Sequence, residues 1–115
     1  MLESIEEWFY THKSIFMQMN ITSNLHGPSQ GHDKNSIAAE FQGGKYDGSV
    51  QYWDSGECDI AIVDMEIGEY ILNATQIFPE PTKLLAVLKS IFELISNQES
   101  EKTPAEFEYA WSQSK

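Results

Sequence analysis

Arginine is absent from the 115 residues of this chain, and its seven basic residues are all lysines. Arginine is the side chain best suited to bidentate contacts with phosphate groups and with guanine. Eighteen aspartates and glutamates outnumber the lysines and give a net charge of −11. An acidic chain without arginine is a poor candidate for binding DNA, RNA or an anionic membrane surface. The charge balance instead favours a cationic protein partner.

Cysteine and long apolar runs are also scarce. The one cysteine, Cys58, excludes an internal disulfide and a zinc site built from paired CxxC motifs. A membrane helix needs about 18 apolar residues. The longest apolar run here, residues 84–95, is interrupted by Lys89, Ser90 and Glu93. The first residues lack the basic start and apolar stretch of a secretory signal, so we expect a cytoplasmic protein.

Size and composition are those of one folded domain. A chain of 115 residues fits the usual size of a single domain. Its hydrophobic content of 41% and aromatic content of 12% can form a core, which excludes a wholly disordered chain. We therefore expect one domain over residues 1–115, with a polar linker at 98–102 before a short terminal helix.

The hydrophobic pattern predicts a helix, five strands and two further helices. Apolar residues recur at helical spacing in 2–16 and 82–97, and Thr103, Pro104 and Glu106 form the cap, first turn and capping box of the short helix. Alternation at period two predicts strands in 17–22, 36–42, 45–54, 58–64 and 69–78. In the last strand, Tyr70, Leu72 and Ala74 are predicted to face inward and Ile71 outward. The polar residues 24–35 are predicted to form a long mobile loop.

Short turns join the last four predicted strands. Glycines lie in the segments 43–44, 54–57 and 66–68, where tight turns need them. Consecutive strands joined by such turns are antiparallel. Helices at both ends of an antiparallel meander predict an α+β fold, with a single sheet of about five strands and one helical layer.

Catalytic signatures are weak in this sequence. His26, His32 and Asp33 could be drawn into a metal site, but their spacing matches no standard motif. His12 lies near the apolar face of the first helix, where packing is the expected role. The chain contains no P-loop, dinucleotide-binding or nucleophile-elbow motif. We therefore expect no enzyme, no bound cofactor and no metal.

Cys58 is also an unpromising nucleophile. It lies between the acids Glu57 and Asp59, and neighbouring carboxylates raise the pKa of a thiol. A small buried hydrophobic side chain is the expected role for this cysteine.

Six acids without an intervening base lie between residues 54 and 69. The alternation predicts that Glu57 and Asp59 share the outward sheet face with Trp53. Acids steer a cationic partner and an aromatic ring anchors it. The alternative is a solvated face with Trp53 covered by the C-terminal helix. The predicted partner-binding residues are Trp53, Asp54, Glu57, Asp59, Asp64, Glu66 and Glu69.

The segment YDGSVQYWDSGECDIAIVD, residues 46–64, is followed by Gly68-Glu69 and an apolar helix. This pattern resembles small bacterial immunity proteins against polymorphic toxins, including those of contact-dependent growth inhibition, and is most similar to the TriTu family. The resemblance covers residues 40–95, and its most specific part is the W-x-S-G-E-C-D turn. It implies a non-catalytic cytoplasmic protein that binds a toxin C-terminal domain 1:1, in many cases a nuclease. No family motif defines the contact residues.

Two other functions stay open at this point. An acidic secretion chaperone would bind an effector segment, usually as a dimer, and the apolar face of residues 82–97 could serve either a core or a dimer seam. An enzyme of unknown type would use His26, His32 and Asp33.

Overall fold

The computed structural model describes residues 2–30, 35–96 and 104–112. The strands form one sheet in the order β1-β2-β3-β4-β5, and every neighbouring pair is antiparallel. The predicted α+β meander is therefore confirmed. The elements are α1 (Leu2–Gln18), β1 (Ile21–Gln30), β2 (Asn35–Gly43), β3 (Tyr46–Trp53), β4 (Glu57–Asp64), β5 (Glu69–Ile77), α2 (Pro81–Ser96) and α3 (Pro104–Ser112).

The first strand is where the sequence-based prediction is wrong. Helix α1 continues to Gln18, and Asn20 then adopts a positive φ of 61°, the left-handed conformation that commonly ends a helix. Residues 24–30, predicted as a loop, instead pair with β2, with Asn24 opposite Glu40. Strand β1 lies at the edge of the sheet and can therefore carry polar residues on its exposed face. Of the rest of the predicted loop, Asn35 begins β2, and residues 31–34 lie outside the described residues.

The inner face of the sheet and the helices α1 and α2 form the hydrophobic core. Phe92 of α2 lies at its centre, with ring centroids 4.9 Å from Phe41 of β2 and 4.7 Å from Phe16 of α1, both in edge-to-face geometry. The sheet contributes alternate residues, as the period-two pattern predicts. These include Ile37, Ala39, Phe41, Val50, Tyr52, Ile60 and Ile62.

The apolar face of α2 is used entirely within this core. Its buried residues are Leu84, Val87, Leu88, Ile91, Phe92 and Ile95. The face therefore packs against the protein's own sheet and α1, and it is not available as a dimer seam. Within the described residues, no helix is both long and apolar enough to span a membrane.

Helix α3 closes one end of the core. Phe107 and Trp111 are buried, and their rings lie 5.4 Å from Tyr46 and 5.1 Å from Phe78, respectively. The helix begins at Pro104, where the missing N–H costs nothing, so the predicted start is confirmed. The predicted cap Thr103 and the linker 98–102 lie outside the described residues.

Strand β5 changes face at a bulge. Ile62 lies opposite Leu72, but the register shifts and Val63 lies opposite Tyr70, which leaves Ile71 as the extra residue. Tyr70 is consequently exposed and Ile71 buried, the reverse of the prediction, while Leu72 is buried as predicted. The alternating pattern could not show this, because one inserted residue reverses every inward and outward assignment on one side of it.

Candidate functional site

One face of the sheet is left open. Helices α1 and α2 cover the inner face, and no described element packs over the other. We call this other side the outer face. The register defines its positions: the even residues 36–42 of β2, the odd residues 47–63 of β3 and β4 apart from the turn, residues 22, 24 and 26 of β1, and residues 70, 73, 75 and 77 of β5.

The outer face is acidic. Among its described positions are four acids, Glu40, Asp47, Glu57 and Asp59, and no lysine. The described lysines lie elsewhere. Lys13 is on α1, residues 83 and 89 are on α2, and Lys45 is in the turn between β2 and β3. Within the described part of the chain, the side of the sheet without helices therefore carries acids and no lysine.

Four of the predicted partner-binding residues come together around the β3–β4 hairpin. Trp53, Glu57 and Asp59 lie on the outer face, where Trp53 is half-buried and opposite Ser36. Asp59 accepts a hydrogen bond of 2.6 Å from the Thr75 hydroxyl on β5. The hairpin end of β4 is therefore acidic, with an aromatic ring beside it, as predicted.

Asp54 is in the hairpin turn itself. Its carboxylate accepts the backbone N–H of Asn35 at 3.2 Å, and its own N–H donates to the carbonyl of Asn35 at 3.0 Å. These two bonds attach the turn to the start of β2. Asp54 is exposed, so its carboxylate still contributes charge at the edge of the outer face.

The other three predicted residues lie at the opposite end of β4. Glu57 and Asp64 are seven residues apart, which corresponds to about 23 Å along a strand. Glu66 lies in the β4–β5 turn, Glu69 is the first residue of β5, and both are exposed. The seven predicted residues thus form two groups, and no single small patch contains them all.

Asp64 is buried, and its carboxylate holds the β4–β5 turn through hydrogen bonds and an ion pair. It is only 5% exposed. One carboxylate oxygen accepts the backbone N–H groups of Glu66 and Ile67 at 3.0 and 3.4 Å, and the other is 3.2 Å from Lys45 Nζ. Burial alone would raise the pKa of Asp64, but the hydrogen bonds from Lys45 and from the turn N–H groups outweigh it and lower the pKa. The same hydrogen bond raises the pKa of Lys45.

The structure adds a feature that the sequence-based site lacks. A shallow concavity of about 330 Å³ lies on the outer face, with Ala61 and Val63 on its floor and Glu40, Asp47 and Tyr70 around it. Alternation already placed Glu40 away from Ile37 and Phe41. Only the register, which puts Val63 opposite both Asp47 and Tyr70, brings these residues to one place.

Two of the catalytic candidates, His26 and His12, are among the residues that the structure describes. His26 is exposed, with Nε2 3.5 Å from a Glu40 oxygen, while His32 and Asp33 lie outside the described residues. His12 hydrogen-bonds the Trp8 carbonyl at 2.9 Å and stacks on that ring at 4.5 Å, which confirms its packing role. The residues described contain no group of three His, Cys, Asp or Glu that could hold a metal ion.

Cys58 is buried on the inner face. Burial raises the pKa of its thiol far above the ordinary value, and the charge of Asp59 raises it further. A thiol in this environment stays protonated at neutral pH and is a poor nucleophile.

An α+β protein with an open, acidic sheet face is suited to binding a complementary protein surface. A family model described as "Immunity protein TriTu" matches residues 3–94, which includes α1, the whole sheet and most of α2. The chain therefore belongs to the TriTu immunity protein family. A comparison with curated proteins finds no match.

Proposed function

We propose that this immunity protein neutralises a cognate toxin domain by binding it 1:1 in the cytoplasm, without catalysis. The toxin would be a cationic domain, most simply a nuclease, delivered by a contact-dependent or related secretion system. The observation that carries this proposal is the outer face, whose described positions hold four acids and no lysine on the side of the sheet without helices. A nuclease presents basic groups to phosphates, and an acidic face is complementary to them.

The hairpin end of the outer face supplies the first contacts in this account. Glu57 and Asp59 would accelerate association by attracting basic groups, and Trp53 would add apolar contact area. Asp54, Glu66 and Glu69 would extend the negative field along β4 towards both turns. Asp64 offers a partner little surface because it is buried, and its role in the proposal is to hold the β4–β5 turn.

Binding to a purified toxin domain tests this function. The probe is the C-terminal domain encoded immediately upstream of this protein's gene, mixed with the full chain and analysed by sizing with light scattering. We expect a complex whose mass is the sum of one copy of each protein. We also expect its association rate to fall as ionic strength rises from low salt to about 0.15 M, where the screening length is about 8 Å.

Charge reversal tests the acidic contacts. Asp59→Lys and Glu69→Lys should each slow association at low salt, by about ten-fold for a contact residue. Glu93→Lys is the matched control, because it changes the net charge equally at an exposed position on α2. Association rates at low salt equal to that of the control would remove these residues from the proposed contact. A dimer of this chain holding an unfolded segment of its partner would instead support the secretion chaperone.

A further inference from the structure

We propose that the toxin docks on the outer face with one of its basic side chains in the concavity beside Tyr70. This inference deepens the proposed function and depends on it, because the partner is the same toxin domain. It adds an anchor point on strands β2 to β5, towards the end of the sheet at the β4–β5 turn, which no residue of the predicted acidic stretch occupies. The occupant is a lysine or arginine of a folded protein surface.

The residues that line the concavity are complementary to the apolar stem and the cationic head of a lysine or arginine. Ala61 and Val63 form an apolar floor that suits the methylene stem of a lysine or arginine. Glu40 and Asp47 are exposed carboxylates at its rim and can accept charge-assisted hydrogen bonds from the cationic head. These groups lie on adjacent strands, with Ser49 opposite both Glu40 and Ala61.

Tyr70 supplies the aromatic component. Its side chain is 61% exposed at the edge of the concavity, because the β4–β5 bulge turns it to the outer face. Because most of its surface is still in contact with water, the ring can bury a large apolar area when a partner docks. The face of the ring also attracts a cation. Tyrosine and arginine are also enriched among the residues that dominate binding energy at interfaces.

Charge complementarity identifies the occupant as basic. The described positions of the outer face carry no lysine that could neutralise Glu40 or Asp47. The exposed His26 lies beside Glu40, with Nε2 3.5 Å from a carboxylate oxygen. Lys45 lies at the end of the sheet, where Asp64 and Glu66 engage it. A second copy of this chain would bring the same negative face, so self-association here is disfavoured.

Tyr70→Ala tests the anchor, and Tyr10→Ala is its matched control. Tyr10 is 63% exposed on α1, on the other side of the sheet. The dissociation constant for the upstream-encoded C-terminal domain is measured by biolayer interferometry with the full chain. Removal of the aromatic anchor by Tyr70→Ala should raise the dissociation constant at least about 30-fold. The control, Tyr10→Ala, should change the dissociation constant less than about twofold. Both tyrosines are exposed, and thermal unfolding confirms that both variants remain folded.

Glu40→Lys tests the acidic rim of the concavity. Its matched control is Glu93→Lys, which makes the same change of net charge on α2. We expect Glu40→Lys to slow association at least about ten-fold at low salt and to raise the dissociation constant further than the control. Wild-type binding with Tyr70→Ala and Glu40→Lys no weaker than their controls would overturn the docking site and leave the proposed function intact. Failure of the wild-type chain to bind the upstream domain would overturn both.

Discussion

Gly48 lies on the inner side of β3, directly opposite Phe41 of β2, and the Phe41 ring fills the space that a side chain at this position would need. A Cβ atom added to Gly48 would lie 2.5 Å from Cζ of Phe41, about as close to Cε2, and 3.1 Å from Cδ2. Carbon atoms in favourable contact are about 3.5–4.0 Å apart. Gly48→Ala therefore requires the Phe41 ring to move by about 1 Å.

The Phe41 ring has little room for that movement. It is buried, and Phe92 packs against it edge-on at 4.9 Å. Overpacking of this kind costs about 1–3 kcal/mol. The lower entropy of an unfolded chain with alanine offsets about 0.4–1 kcal/mol of it. We expect a net loss of about 1–2 kcal/mol in the free energy of unfolding, although alanine is ordinarily the more favourable residue in a strand.

Urea unfolding measures this loss of free energy of unfolding, and the m-value should be the same in the variant and the wild type. Phe41→Leu removes the ring atoms that the new methyl group meets, so it should cost less in the Gly48→Ala background than in the wild type. We expect a coupling energy of at least about 1 kcal/mol between the two substitutions. A neutral or stabilising Gly48→Ala, or strictly additive effects, would refute the proposed packing of Phe41 over Gly48.

Three further predictions concern the core and the β4–β5 turn. Phe92→Ala should lower the free energy of unfolding by about 3–5 kcal/mol, because it removes the central ring of the core; a loss below about 2 kcal/mol in urea unfolding would contradict this. Asp64→Asn should destabilise the protein at pH 7. Folding lowers the pKa of Asp64 below its ordinary 3.8, so the stability difference between wild type and variant should be complete above pH 3.8 and shrink as the pH falls through the folded pKa. Thermal unfolding over this pH range measures the difference, and a stability difference independent of pH would exclude the carboxylate as its cause. The Cys58 thiol should react with a thiol reagent rapidly in urea and at least about a hundred-fold more slowly in the folded protein, since reaction then needs unfolding; equal rates would show that it is accessible.

The sequence predicts most of this fold because the local signals agree with one another. Short glycine-containing turns at 43–44, 54–57 and 66–68 leave the chain no alternative to an antiparallel meander. The apolar periodicity of α2 predicts a seam of Leu84, Leu88, Ile91 and Ile95, and all four are buried. Pro104 marks the start of α3 by the same kind of local signal.

Strand β1 escapes prediction because its pairing is tertiary. Turn-forming residue types dominate 24–30, and only the alternation of Ile21, Ser23 and Leu25 indicates a strand. In the structure Ile21 and Ser23 are buried and Leu25 is partly buried, while Asn24 and His26 face outward. Asparagine, glycine and proline favour turns, and this local preference is a stronger sequence signal than an alternation of three residues.

The candidate site is harder to predict than the fold, because the register between strands determines which of its residues lie side by side. Glu57, Asp59 and Trp53 follow from alternation within one hairpin. The approach of Glu40, Asp47 and Tyr70 depends on four strands and on the bulge at Ile71. The pairing of Asp64 with Lys45 likewise joins residues that are far apart in sequence, and it removes one acid from the surface that a linear reading assigns to a partner.

Growth of cells that express the upstream-encoded C-terminal domain tests the central claim most directly. The domain is induced alone, with this full chain, and with an unrelated acidic protein of similar size as the control. The account predicts growth arrest with the domain alone or with the control, and restored growth with this chain. A domain that arrests growth equally in the presence of this chain, or one that is harmless alone and merely degraded without it, would contradict its role as the immunity protein for that toxin.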